Sequence, residues 1–173
     1  MDLIEKVRLA SAGDRDAFGE LVRSYERLVL GIAWNNLRDY QAAQDIAQEA
    51  FLTAFRQLKG LKEPASFGAW IAQIAVRCCH HYRRTRPKIL LSTNRSPAET
   101  PPESLMLGEE TDRILTAIQS LPEHERNVVF LRYMEGYDVA TIAQMTGRPS
   151  GTVTKQLSRG VKRLKNLLIE VEQ

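Results

Sequence analysis

The sequence predicts an all-α protein, built from two small helical domains joined by a flexible linker, the second domain being a helix-turn-helix domain. Strand signals are nearly absent, because there is no sustained apolar–polar alternation and no Asn-Gly or Asp-Gly hairpin turn. Apolar residues instead recur at helical spacing, and Gly and Pro fall between the periodic segments. Residues 87–109 break this pattern, so we expect domains at 1–86 and 110–173 with a linker at 87–109.

Eight segments have the periodicity of helices. In chain order they are Asp2–Ala12, Asp16–Leu37, Gln41–Leu58, Phe67–Arg84, Glu110–Ser120, Glu123–Met134, Asp138–Met145 and Gly151–Glu170. Asp39, Ser66 and Ser150 each precede a segment and are predicted to cap it, because their side-chain oxygens can accept unpaired backbone N–H groups. Gly13 and Gly147 suit the ends of the segments before them.

Composition excludes several classes of protein. The chain has 173 residues, and its 24 Lys and Arg against 21 Asp and Glu give a net charge of +3. The two cysteines are adjacent, which excludes a disulfide framework and favours a reducing compartment. The longest apolar run, Leu28–Trp34, is too short to span a membrane, and Asp2 and Glu5 argue against a signal peptide. We expect a cytoplasmic protein with no membrane insertion of its own.

The net charge conceals an uneven distribution. Residues 1–86 and residues 113–173 each carry a net charge of +3, whereas residues 87–112 carry −3. Binding to a polyanion depends on where charge clusters, not on its sum. The two predicted domains are therefore better candidates for nucleic-acid binding than the total suggests.

The segment Gln41–Leu58 has two distinct faces. Its predicted core side collects Ala43, Ala47, Ala50, Phe51, Ala54 and Leu58. Nearly opposite, at i, i+3, i+4 and i+7, lie Asp45, Gln48, Glu49 and Leu52. An apolar residue within an acidic face suggests a contact surface for another protein, although a solvated polar face is the simpler interpretation.

The segment Phe67–Arg84 combines an apolar stripe with a basic one. Its predicted core stripe is Phe67, Ile71, Ile74, Cys78 and Tyr82, and its second stripe is Gln73, Arg77, His80 and Arg84, with Trp70 at the edge. From Arg77 to Lys88 there are five Lys or Arg residues and no acid. Guanidinium groups pair with phosphates, and Trp and His can stack on bases, so the stripe favours nucleic acid over a basic solvated helix end.

The run Cys78, Cys79, His80 and His81 resembles a zinc site in composition only. Consecutive helical side chains point in different directions and cannot enclose one ion tetrahedrally. A Cys–His nucleophile is equally unsupported, because neighbours at i+1 and i+2 do not face each other. We expect no metal, no cofactor and no enzymatic activity.

Residues 138–170 have the spacing of a helix-turn-helix. Ala143 is small where two helices would cross, Gly147 permits a left-handed turn, and Val153 packs the second helix on the first. The second helix has a predicted buried stripe of Val153, Leu157, Val161, Leu164 and Leu168, opposite an outward stripe of Thr152, Lys155, Arg159, Lys162 and Asn166. Between Val139 and Ile169 there are six Lys or Arg residues and no acid. Major-groove docking requires such a basic, unobstructed face.

These residues resemble a family, the extracytoplasmic-function (ECF) group of sigma-70-type bacterial RNA polymerase sigma factors. The matching runs occur in family order and cover nearly the whole chain except the linker. They are Asp16-Ala-Phe-Gly-Glu-Leu-Val22, Asp45-Ile-Ala-Gln-Glu-Ala-Phe-Leu52, Phe67-Gly-Ala-Trp-Ile-Ala-Gln-Ile-Ala75, Leu121-Pro with Arg126 and Leu131-Arg-Tyr-Met-Glu-Gly136, and Ile142-Ala with Gly147 and Gly151-Thr-Val153.

The resemblance implies a role for each domain. The first domain would bind the clamp of core RNA polymerase through Asp45, Gln48, Glu49 and Leu52. It would also hold the melted minus-ten promoter strand through Lys59, Lys62, Trp70, Gln73, Arg77, His80, Arg83 and Arg84. The second domain, a region-four-like unit expected near the polymerase flap, would read the minus-thirty-five element through Arg148, Gly151, Thr152, Lys155, Gln156, Arg159 and Lys162. Gln156 stands where the family commonly has Arg.

The expected partners are core RNA polymerase, promoter DNA and an anti-sigma factor, since the resemblance implies that family members are commonly held inactive by one. The alternative is a conventional helix-turn-helix repressor or activator that acts without stable polymerase association. That alternative predicts tight binding to a symmetric operator, whereas a sigma factor is expected to bind free duplex poorly.

Overall fold

A computed structural model describes residues 2–85 and 109–170 of the chain. Within these ranges every regular element is helical, which confirms the predicted all-α class. The chain divides into two compact units, and the division falls between the two described ranges. The predicted linker, 87–109, lies outside the described residues except for Glu109. No helix of the described ranges is both long enough and apolar enough to cross a membrane.

The described residues of the first unit, 2–85, form four α-helices and two short 3₁₀ turns. They are α1 (Leu3–Ser11), α2 (Arg15–Leu37), α3 (Tyr40–Gln57), the turns Leu58–Gly60 and Pro64–Ser66, and α4 (Phe67–Thr85). Aspartates start the first three helices. Asp2 accepts the backbone N–H of Glu5, and Asp14 accepts those of Asp16 and Ala17. Asp39, the predicted cap of α3, accepts that of Ala42 at 2.9 Å.

Helix α2 packs against α1, α3 and α4 and so forms the centre of the first unit. The small residues predicted for the core side of α3 are buried, which lets α3 lie close to its neighbours. One part of the core joins three helices through Ala33, Trp34, Ala43, Ile46 and Cys79. This packing fixes which sides of α3 and α4 remain exposed.

The prediction for the start of α4 is wrong, and the one for its core face is incomplete. Cys79, absent from the predicted core stripe, is fully buried in the cluster around Trp34, and Cys78 is partly buried and packs against the same cluster. Ser66 does not cap α4: its hydroxyl donates to the carbonyl oxygen of Glu63 at 2.7 Å within the preceding turn.

The described residues of the second unit, 109–170, form four α-helices and one π-helical turn. They are α5 (Glu109–Ser120), α6 (Glu123–Val129), the π turn Phe130–Met134, α7 (Val139–Thr146) and α8 (Ser150–Glu170). The segment predicted as one helix over 123–134 therefore changes to wider helical turns at Phe130. Asp138 caps α7 by accepting the N–H of Thr141 at 2.7 Å, and Gly147 ends α7 in the left-handed conformation as predicted.

Helix α8 packs on α6, α7 and α5. Val153 is fully buried and Leu157 nearly so, whereas Leu168 is 38% exposed, so the predicted buried stripe does not extend to the end of the helix. Ser150 is the first residue of α8 and not its cap. The carbonyl of Pro149 accepts the N–H groups of Thr152 and Val153.

Candidate functional site

The acidic face of α3 is a free surface of the first unit. Asp45, Gln48, Glu49 and Leu52 are all exposed, and Leu52 shows 46% of its surface. The opposite side of α3 is buried in the core. An exposed leucine bordered by carboxylates matches the composition of a protein contact better than that of a purely solvated face.

Phe55 extends this surface and was missed by the sequence analysis. It is 41% exposed, and its ring meets that of Phe18 on α2 edge-to-face, with centroids 4.9 Å apart. Phe55 lies three residues after Leu52 and so on the same side of α3. That spacing was the available signal. Leu52 and Phe55 together form an apolar strip beside the acidic residues.

On its own helix Glu49 makes two surface contacts. Thr53 Oγ1 donates to Glu49 Oε1 at 3.2 Å, and Arg56 Nη1 lies 4.0 Å from the same oxygen. Both members of this ion pair are more than half exposed, so the pair is weak and a partner can displace Arg56. The carboxylate therefore remains available to an external cation.

A groove of about 370 Å³ separates the exposed parts of α3 and α4. Its apolar floor includes Ile46 and Ile74, and Glu49 and Arg77 lie on its walls. Cys78 also lines it. Burial raises the pKa of the Cys78 thiol above its ordinary value, the charge of Glu49 adds to the rise, and Arg77 opposes it.

The basic face of α4 is arranged largely as predicted. Arg77, His80, Arg83 and Arg84 are exposed, while Trp70 and Gln73 are half-buried. Trp70 leans on the buried ring of Phe67, with centroids 5.9 Å apart, and Phe67 meets Tyr25 at 5.1 Å. The Nε of Arg77 donates to the carbonyl of Gln73 at 3.3 Å. The core thus anchors an aromatic side chain at one end of a cationic stripe.

The two lysines predicted for this face lie on the segment that leads into α4. Lys59 is in the first 3₁₀ turn and Lys62 is between the turns, and both are exposed. Glu63 starts the second turn by accepting the N–H of Ala65 at 3.4 Å. The segment is therefore a defined loop next to the start of α4.

In the second unit, the start of α8 presents its predicted residues outward. Gly151, Thr152, Lys155, Arg159 and Lys162 are exposed, and Arg148 and Gln156 are half-buried. Arg148 Nη1 donates to Gln156 Oε1 at 3.2 Å, which ties the turn to the helix. This surface belongs to a different unit from the faces of α3 and α4.

A buried arginine, Arg126, stabilises the C-terminal end of α5. Arg126 is buried, and its Nη1 donates to the carbonyls of Gln119 and Leu121 at 3.0 and 3.1 Å. It thereby satisfies carbonyls at the end of α5 that have no helical partner. Arg126 is thus a structural residue of the second unit, not a candidate DNA contact.

Nothing in the described ranges gathers three or more metal-ligating side chains. Cys78 and Cys79 point to the groove and to the core respectively, while His80 and His81 are exposed.

Two families of known proteins match the chain. The Sigma-70 region 2 family matches residues 21–88. The Sigma-70, region 4 family matches residues 111–164. Together these matches cover more than half of the chain and include α3, α4, α7 and most of α8.

Curated relatives are sigma factors. The RNA polymerase sigma-H factor of Pseudomonas aeruginosa is 30% identical over 91% of this chain and 87% of the relative. The ECF RNA polymerase sigma-E factor of Haemophilus influenzae is 30% identical over 95% of this chain and 92% of the relative. The probable RNA polymerase sigma factor RfaY of Xanthomonas campestris is 32% identical, and the chain spans 42% of its length.

Solved structures share the fold. RpoE in complex with the anti-sigma factor NepR from Bartonella quintana aligns with a TM-score of 0.74 at 18% identity, covering 87% of this chain and 96% of that one. CnrH in complex with the cytosolic domain of CnrY aligns with a TM-score of 0.71 at 21% identity, covering 97% of both chains. The chain therefore belongs to the sigma-70 family of RNA polymerase sigma factors, in its ECF group.

Proposed function

We propose that this sigma factor binds core RNA polymerase through α3, melts the minus-ten element with α4 and the loop before it, and reads the minus-thirty-five element with α8. The domain limits that go with these roles are 1–86 and 110–173, with 87–109 as the linker. The observation that carries the proposal is that three different helices each expose a surface of distinct chemistry. An acidic and apolar face lies on α3, an aromatic and basic face on α4, and a second basic face on α8.

The α3 surface suits a protein partner with a basic and apolar patch, such as the clamp of core polymerase. Asp45 and Glu49 supply negative charge, while Leu52 and Phe55 supply apolar area that becomes buried on binding. Apolar residues at the centre of an interface contribute much of its affinity, and surrounding charges contribute specificity and association rate. Gln48 lies between Asp45 and Glu49 in sequence, and its amide can donate to an acceptor or accept from a donor on the partner.

The α4 surface suits single-stranded DNA. Trp70 offers a ring that the core holds in place, and base–aromatic stacking is worth about 1–3 kcal/mol per base. Arg77, His80, Arg83 and Arg84 continue the positive charge along the helix, together with Lys59 and Lys62 on the loop. A flipped base costs a few kcal/mol to extrude, and these contacts offset that cost.

The α8 surface suits the major groove of duplex DNA. The N-terminal residues of a recognition helix contact base edges, and those of α8 are exposed from Gly151 onward. Thr152, Lys155 and Arg159 follow one another along the exposed side, and Lys162 extends it. Arg favours guanine in direct readout, whereas a lysine beyond the base edges binds phosphate.

The protein acts in this proposal as a binding subunit and not as an enzyme, so it needs no metal and no cofactor. Its site of action is the cytoplasm, where polymerase and promoter DNA meet. An anti-sigma factor that covers α3 or α4 would block both polymerase and promoter. RpoE was solved with the anti-sigma factor NepR and CnrH with the cytosolic domain of CnrY, and we propose an anti-sigma partner for this chain.

The decisive experiment is a pull-down with bacterial core polymerase, followed by run-off transcription from promoters selected from a random library. We expect stable association with core and initiation only when the chain is present. A chain that binds core but directs no initiation would refute promoter recognition, and one that binds no core would refute the whole proposal. Tight binding of the isolated chain to a symmetric operator would favour the conventional helix-turn-helix regulator instead.

A further inference from the structure

Helices α6 and α8 of the second unit lie in close contact at Gly160 of α8. A Cβ atom at Gly160 would lie 2.7 Å from Cγ2 of Val129 and 3.5 Å from Cβ of Glu125. Carbon atoms do not approach to 2.7 Å without displacement, so α8 lies against α6 at a distance that only glycine permits. This contact sets the separation of the two helices.

An ion pair lies beside this contact. Glu125 on α6 is only 2% exposed, and Nε of Arg163 lies 3.0 Å from its Oε2. Within the described ranges Oε2 accepts no hydrogen bond, so the arginine acts on it chiefly as a counterion. His124 Nε2 is 3.9 Å from Oε1 and contributes only when the imidazole is protonated. Breaking such a pair on one side leaves an uncompensated buried charge, which is costly.

Gly160 and Arg163 are three residues apart and therefore lie on neighbouring parts of one side of α8. Packing at Gly160 fixes how near the helix lies, and the Arg163–Glu125 pair fixes its rotation about its own axis. Arg159 immediately precedes Gly160, so the same rotation determines where Arg159 points. Because the side chains of α8 are fixed to one rigid helix, a small rotation about the helix axis turns every outward side chain through the same angle.

We infer that Glu125 is a positioning residue for promoter recognition: through Arg163 it holds α8 in the rotation that presents Lys155 and Arg159 to the minus-thirty-five element. This inference rests on the proposed function of α8 as the reader of that element. Glu125 touches no DNA in it. Of the basic residues of α8, Arg163 serves the protein's own packing, although its side chain is 59% exposed.

The pair is tested first by a double-mutant cycle in the full chain, using Glu125→Gln, Arg163→Gln and the double variant. We expect Arg163→Gln to lower the melting temperature most, because it leaves a buried carboxylate without its counterion. The double variant should then recover part of that loss. Lys165→Gln, an exposed neighbour on α8 with the same change of charge, serves as the control and should leave the melting temperature unchanged. Strictly additive effects would overturn the pair.

The positioning role is tested in the holoenzyme by the ratio of initiation from a promoter with an intact minus-thirty-five element to that from one with the element scrambled. We expect Glu125→Gln to lower this ratio at least threefold while the chain remains folded and core-bound, and Lys165→Gln to keep it. A wild-type ratio of one would refute the proposed function itself. A normal wild-type ratio that Glu125→Gln also retains would refute only the positioning role.

A second pair of variants keeps the test independent of charge. Gly160→Ala inserts the forbidden methyl group and should lower the same ratio, and adding Val129→Ala, which removes the clashing carbon, should restore at least half of it. Gly160→Ala with wild-type discrimination, or a double variant no better than the single one, would contradict the inference.

Discussion

Arg148 donates a hydrogen bond to Oε1 of Gln156 at 3.2 Å, so the residue that follows the turn of the helix-turn-helix orients a side chain of the recognition helix. Both residues are half-buried. With Oε1 already accepting from Arg148, the amide nitrogen of Gln156 is the group with its full hydrogen-bonding capacity left for other partners. The structure thus distinguishes Gln156 from an unrestrained glutamine, which pairs with adenine through both its oxygen and its nitrogen.

We predict that Gln156 donates to a base acceptor, such as guanine O6 or thymine O4, and does not form the bidentate adenine contact. Arg148→Ala should release Oε1 and shift the preference at that base pair toward adenine by about 1–3 kcal/mol. Initiation by the holoenzyme from promoters carrying each of the four bases at every minus-thirty-five position measures the shift. Arg148→Lys, which keeps a donor, is the matched control. An adenine preference already present in the wild-type chain would contradict the prediction.

A substitution at Leu52 should affect polymerase binding and leave folding nearly unchanged, whereas one at Phe55 should affect both. Leu52→Ala removes an exposed side chain and should weaken core polymerase binding by about 1–2 kcal/mol. It should change the free energy of unfolding by less than about 0.5 kcal/mol. Phe55→Ala should lower both quantities, because it also removes the edge-to-face contact with Phe18. Titration of labelled core polymerase and chemical denaturation measure the two effects, and an unchanged affinity for Leu52→Ala would remove it from the interface.

The acidic residues of α3 should act through charge. The double reversal Asp45→Lys and Glu49→Lys should slow association with core and reduce its dependence on salt. The matched control is the double reversal Glu5→Lys and Glu26→Lys, the same change of charge at exposed positions of α1 and α2. Stopped-flow association at several salt concentrations distinguishes the two, and equal rates for both variants would exclude an acidic contact surface on α3.

The sequence was sufficient for whatever depends on local periodicity and local hydrogen bonding. The start of α3 at Asp39 and the end of α7 at Gly147 follow from the chemistry of one residue, and both are observed. Cys78 and Cys79 differ by about 100° on one helix, and only the packing of α4 shows that Cys79 is the more deeply buried of the two. The Glu125–Arg163 pair joins two helices and has no local signal at all.

The candidate surfaces likewise include residues that local spacing predicts and residues that it does not. The acidic face of α3 could be predicted from spacing, because the residues opposite it are apolar and buried. Phe55 was missed since a phenylalanine is ordinarily assigned to the core. The roles of these surfaces came from the family resemblance, and the base-level contacts stay predictions.

Trp70 should be required for promoter melting. Trp70→Ala removes a stacking ring and is expected to weaken open-complex formation by about 1–3 kcal/mol. It should also lower the melting temperature, because the ring leans on Phe67. Trp70→Phe preserves both contacts in part and should recover most of each. Permanganate reactivity of unpaired thymines in the minus-ten element measures melting, and full reactivity with Trp70→Ala would exclude a role for the ring.

Asp138 should make the second unit sensitive to acid. Its hydrogen bond from the backbone N–H of Thr141 holds its pKa below the ordinary value of 3.8, the Thr141 side chain adds to this effect, and burial opposes it weakly. A lowered folded pKa stabilises the fold fully above the unfolded pKa, and this stabilisation is lost as the pH falls through the folded pKa. Asp138→Asn retains a capping oxygen that does not titrate. Melting temperatures below pH 4 should therefore fall more for the wild-type chain than for the variant, and parallel curves would contradict the prediction.

The two cysteines should differ in reactivity although they are adjacent. Cys78 lines the groove with a raised pKa, so its thiolate fraction at pH 8 is lower than that of a free thiol, and its labelling by Ellman's reagent should be slow and accelerate with pH. Cys79 is fully buried and should react only when the unit opens. The variants Cys79→Ala and Cys78→Ala isolate each thiol. Glu49→Gln should accelerate labelling of Cys78, because it removes a nearby negative charge that raises the pKa of this thiol. Equal labelling rates for the two thiols would contradict the prediction.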